Sequence, residues 1–124
     1  MELEISQIVI DALLGSEGFT AVLGAGDACK LFPMVADEGT PEPYAIYRID
    51  EMPGGTKDGA QSFSVSVGLA FGPKGYMQAL SLKNVVKEAL DNTLLTYVIC
   101  DTDFDPETQR IISFINYEIT GTPA

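Results

Sequence analysis

The chain has no histidine and no tryptophan, and only two cysteines and seven lysine and arginine residues in 124 positions. Each scarcity removes a class of function. Without histidine there is no side chain whose ordinary pKa suits proton transfer near neutrality. Neither Cys29 nor Cys100 stands in a recognisable nucleophile setting, and the many serines have no partner base. Two cysteines are too few for a scaffold. One disulfide is formally possible, but the pair reads as reduced, buried thiols of a cytoplasmic chain. Eighteen acidic residues against seven basic ones give a formal charge of −11. Such a surface repels phosphate backbones and offers no basic footprint for specific nucleic acid. No apolar run approaches the roughly 20 residues of a membrane span. The start Met1-Glu-Leu-Glu4 is acidic where a secretory leader is basic, so export by that route is not expected.

What is present is a core. An apolar fraction of 46% excludes wholesale disorder, and residues 1–124 read as one domain able to fold without metals or disulfides. Its most informative stretch is Gln61–Phe71. Phe63, Val65, Val67, Leu69 and Phe71 alternate with Ser62, Ser64, Ser66, Gly68 and Ala70. Strand side chains reverse direction at every residue, so one face is large and apolar and the other small and nearly chargeless. The small face invites cover from a helix, a ligand or another subunit.

The remaining elements follow from period and punctuation. Leu3–Leu14 carries Ile5, Ile8, Val9, Ala12 and Leu13 at helical spacing, ended by Gly15 and Ser16. Phe19–Leu23 adds a turn before Gly24-Ala-Gly26, and Leu31–Val35 reads as a short strand. Asp37–Pro43 is a loop, and Tyr44–Asp50 a strand whose Tyr44 and Tyr47 are half-buried. Pro53-Gly-Gly55 opens a polar loop through Lys57-Asp-Gly59; Gly54, Gly55, Lys57, Asp58 and Gly59 are its mobile residues. Tyr76–Leu90 is helical, with Ala79, Leu82, Val86 and Leu90 in one stripe and Lys87–Asp91 an i,i+4 ion pair. Leu95–Phe104 and Gln109–Thr120 form a strand pair around Asp105-Pro-Glu-Thr108. On the returning strand Ile111, Ile115, Tyr117 and Ile119 share one face, with Ile112 and Phe114 on the reverse. The order predicts an α+β fold, an antiparallel-rich mixed sheet with two helices packed on one face.

Candidate chemistry is thin. Asp101, Asp103 and Asp105 alternate, so their carboxylates share one side of an extended strand, a donor set suited to a hard cation. The calcium-loop pattern fails at its sixth position, Pro106, and its twelfth, Ile112. An acidic, solvated hairpin tip is the simpler reading. The glycines at 15, 18, 24 and 26 follow no strand and precede no phosphate-binding lysine. Arg48 and Arg110, the only arginines, sit on expected strands and pair with acids within or between subunits. No catalytic residue, metal or cofactor site is expected.

With these elements placed, the chain resembles the tail terminator or tail-completion (minor tail) proteins of tailed phages, a family that includes uncharacterised prophage relatives. The likeness runs through the helix Ile5–Leu14, the turn Phe19–Leu23 and Leu31-Phe-Pro33, where relatives show an "IYP"-like step. Pro43-Tyr-Ala-Ile-Tyr47 is similar to the family's "PY-V-Y" strand start. The strand Phe63–Phe71, the helix Met77–Leu90 and the pair Tyr97–Phe104 and Arg110–Tyr117 follow in family order. One departure is Phe71-Gly-Pro73, where relatives commonly carry a tryptophan or an acid. The resemblance implies a tail-terminator-like fold and a non-enzymatic virion protein, made in the bacterial cytoplasm and ending in the tail. It implies a hexameric ring that caps the tail tube, with the tail tube protein and the head–tail connector protein as partners. Subunit contacts then fall on Ser62, Ser64, Ser66, Arg48, Arg110, Ile112 and Phe114. The 54–61 loop falls at a ring surface or lumen, where acidic charge lets DNA pass. The alternative is a virion assembly adaptor of the same fold.

Overall fold

Apolar residues at four-residue intervals make the first helix one-sided. In the computed structural model, which describes residues 2–52 and 62–120, helix α1 (Glu2–Leu14) buries Ile5, Val9 and Leu13 completely. Helix α2 (Glu17–Leu23) follows at a bend of 85°. Ser16 starts it, its Oγ accepting from the Phe19 backbone N–H at 3.4 Å and satisfying a donor that the helix itself cannot pair. Gly24 stops it. With φ at 97°, a side chain there is strained, and a Cβ would stand 2.7 Å from the Ala28 carbonyl oxygen, so only glycine fits. The sequence led us to expect one extra turn here. The serine cap extends it to a separate short helix, placed so that Gly18 lies against Val85 of the long helix α3 (Tyr76–Asp91).

Among the described residues five strands form one sheet: β1 (Leu31–Pro33), β2 (Tyr44–Glu51), β3 (Ser62–Phe71), β4 (Thr96–Asp105) and β5 (Arg110–Thr120). Their spatial order is β1-β2-β3-β5-β4. Only β1 and β2 are parallel, so the sheet is mixed and antiparallel-rich as expected. Strand β3 is central because both its neighbours need its large face. Phe63, Val65, Val67 and Leu69 are fully buried there, beside Ile111, Ile115 and Tyr117 of β5. Ala79, Leu82, Val86 and Leu90 of α3 and the buried stripe of α1 complete the same core. All the helices therefore lie on one face. Among the described residues the other face carries no helix.

Local deviations trace to single residues. Strand β1 ends at Pro33, two residues early, because Met34 adopts φ 64°. Gln109, expected to open β5, has φ 60° and closes the hairpin turn instead. A bulge between Tyr97 and Ile99 inserts Val98 into β4, turning Tyr97 to the core side opposite Tyr117. The rings meet edge to face at 5.6 Å. Cys29 and Cys100 are free, as expected, but half-buried and not fully enclosed. The loop residues Gly54, Gly55, Lys57, Asp58 and Gly59 lie outside the described residues.

Tyr117 ties the helix layer to the sheet. Its hydroxyl lies 2.8 Å from Asp91 Oδ1 and 3.2 Å from the Lys87 carbonyl, donating toward both. Lys87 Nζ reaches Asp91 Oδ2 at 2.9 Å and stands 4.6 Å above the Tyr97 ring. Burial pushes the Tyr117 phenol well up. The Lys87 ammonium first, and the Tyr117 hydroxyl second, hold the Asp91 carboxyl below its ordinary value. A depressed carboxyl adds stability that is present above its unfolded pKa of about 4 and is lost as pH falls through the folded one. Tyr117→Phe is expected to lower the unfolding free energy at neutral pH by about 1 kcal/mol. It should also flatten the acid-side loss of stability below about pH 4.5. Urea denaturation followed across that range checks both.

Candidate assembly surface

The helix-free face is built by the residues whose partners across the sheet fall on the same side of the pleat. From β2 to β4, Tyr44, Ala70, Ile112 and Asp103 make one row, and Ile46, Gly68, Phe114 and Asp101 the next. Arg48, Ser66, Asn116 and Ile99 make the third, and Asp50, Ser64, Glu118 and Thr96 the fourth. Ser62, opposite Thr120, continues it. Ser62, Ser64, Ser66, Arg48, Arg110, Ile112 and Phe114 thus share a single surface, although they come from three strands. Period-2 patterning alone places them there.

The surface covers itself only in its middle. A Cβ on Gly68 would lie 3.0 Å from both Ile46 Cγ1 and Phe114 Cε1. The missing side chain is what lets the Phe114 ring settle onto the strand between them. Phe114 nevertheless remains 43% exposed. It is the common wall of two open hollows. One, of about 380 Å³, is lined by Met34, Ile46, Arg48, Asp50, Ser66 and Gly68. The other, of about 450 Å³, is lined by Asp101, Asp103, Phe104, Asp105, Pro106 and Ile112. Ser66 donates to Asn116 Oδ1 at 2.6 Å, so the serine side is partly satisfied within the sheet.

Both arginines have partners in their own chain. Arg48 Nε pairs with Asp50 at 2.9 Å, and Arg110 Nε with Glu42 at 3.1 Å. Arg110 also stands 5.7 Å from the centre of the Tyr44 ring. Backbone hydrogen bonding first, then Arg110, hold the Glu42 carboxyl below its ordinary value. The acidic run reads as hairpin chemistry. Asp105 accepts from the Glu107 N–H and the Thr108 hydroxyl, both at 3.0 Å, and Asp103 accepts from the Phe104 N–H at 2.8 Å. These bonds stabilise a turn of the Asx type. Among the described residues no group of three or more Cys, Asp or Glu converges to hold a metal, and no buried side-chain polar atom lacks a partner.

Sequence reasoning singled out neither Ile46, Asn116 nor Ile99 for this surface. Ile46 and Asn116 carried a signal, since each sits at the alternating position of its strand. Ile99 carried one too, in alternation with Asp101 and Asp103, whereas Thr96 carried none, because its place depends on the bulge at Val98.

No family model matches the chain, and no curated protein matches it by sequence. Its fold is shared with a solved chain from the virion of a native gene transfer agent (GTA) particle. The two superpose with a TM-score of 0.72 over 92% of each chain, at 13% sequence identity. That likeness is one of fold.

Arg110→Ala removes one half-exposed ion pair and one ring contact. A small loss of stability is expected at low ionic strength, shrinking towards zero in about 1 M salt as the ion pair is screened. Thermal unfolding of the wild type and the variant at two salt concentrations checks it.

Proposed function

We propose that this chain is a non-enzymatic structural protein of a phage-type tail, working as an oligomeric ring that caps the tail tube and joins it to the head connector. The observation that carries the reading is the helix-free sheet face. Phe114, Ile46, Ile112 and Tyr44 lie on it with a polar rim of serines, Asn116 and paired arginines, the anatomy of a surface meant to be covered. A gene transfer agent virion chain with the same fold supports a virion setting, and the resemblance to tail terminators supplies the ring, hexameric in that family. The two in-chain arginine pairs support a rim role for Arg48 and Arg110, shaping the contact without supplying unpaired charge. The −11 charge keeps free subunits apart in solution and suits a ring through which DNA passes.

Phe114→Ala tests this directly. The side chain is 43% exposed, so the subunit should lose at most about 1 kcal/mol of stability. Assembly should weaken by tenfold or more, as expected for a central aromatic anchor. Native mass spectrometry of the subunit, with and without purified tail tubes, reads both stoichiometry and capping. A variant that assembles and caps as well as the wild type would remove this face from the contact. A wild-type subunit that binds tubes without forming a ring would favour the adaptor.

A further inference from the structure

We propose that the outer margin of β4 is a docking strand for a partner segment that is extended and alternates basic with apolar residues. This margin borders the helix-free face, whose rows end at Asp101 and Asp103, but docking there adds a strand to the sheet and does not need the ring. Among the described residues β4 pairs with β5 alone, so one side of a ten-residue strand has no strand beside it to take its backbone donors and acceptors; of the β4 donors, the Phe104 N–H is held by Asp103 Oδ1 at 2.8 Å. The opposite margin, β1, is three residues long.

The side chains along β4 define what can join it. Beyond the bulge at Val98, Asp101, Asp103 and Asp105 project to the helix-free side, and Cys100, Thr102 and Phe104 to the other. Only Asp105 faces a basic residue across the strand pair, Arg110, which is already held by Glu42. Asp101 and Asp103 are exposed, and Phe104 is 44% exposed. A strand added here gains main-chain hydrogen bonds from the margin and pockets for alternate side chains from the pleat. Residues meeting Asp101 and Asp103 must be basic, because like charges directly opposite are destabilising. Residues meeting Cys100, Thr102 and Phe104 must be apolar. The same carboxylates disfavour a second copy in the registers that set Asp101 and Asp103 against each other or themselves. Charge therefore selects a foreign, basic strand over self-association.

The test uses the full chain and a capped, fluorescently labelled peptide alternating lysine and valine over about six residues. Two controls accompany it: a scrambled peptide of identical composition, and the alternating peptide N-methylated at every second residue. Fluorescence anisotropy at about 50 mM salt should show the alternating peptide binding roughly tenfold more tightly than either control. The double variant Asp101→Asn, Asp103→Asn should erase that preference, while Glu38→Gln, Glu88→Gln, an equal charge change on exposed positions elsewhere, should keep it. Equal binding of the three peptides means general attraction to an acidic protein and overturns the proposal. So does a preference that survives the double aspartate variant, or dimerisation of the wild type through β4. None of these outcomes touches the tube-capping measurement, so the two readings fail separately.

Discussion

Everything in this fold depends on how one strand divides its two faces. On β3, Phe63, Val65, Val67 and Leu69 are large and fully buried, whereas Ser62, Ser64, Ser66 and Gly68 are small. The large face draws α1 and α3 to itself, because each full burial of such a side chain is worth about 1.5–3 kcal/mol. The small face has nothing comparable to offer a helix. The asymmetry of a single sequence stretch thus decides that the helices collect on one side and that the other stays open. Tyr117 then fixes the spacing of the layers, since its hydroxyl must reach the last turn of α3.

Much of this was legible before any coordinates. Alternation over Gln61–Phe71 and Gln109–Thr120 and helical period over Leu3–Leu14 and Tyr76–Leu90 are strong signals, because each side chain's direction follows from position alone. What escaped were events set by one backbone angle or one inserted residue. Met34 and Gln109 take positive φ without being glycine, and Val98 reverses the facing of everything before it. Ser16 is legible in the sequence as the end of α1, but its role as the cap that starts α2 is not. Pairing over distance was equally hidden. Nothing local links Arg110 to Glu42, 68 positions away.

The chemistry of the surface was legible for a different reason. The absence of histidine is read directly from the sequence, and the alternating side-chain directions of β2, β3 and β5 place the surface residues together. The surface's specialised features are geometric. Gly68 gives up a side chain so that Phe114 can lie down, and Phe114 in turn separates two hollows. Such economy suits shape recognition, where affinity rests on a few well-seated aromatics.

The unequal lengths of the two outermost strands have a topological consequence. Growth of a continuous sheet from subunit to subunit needs two long templates per copy, one to give and one to receive. This molecule has ten residues at one boundary and three at the other. A unit so built can accept a strand without offering an equivalent place to the next.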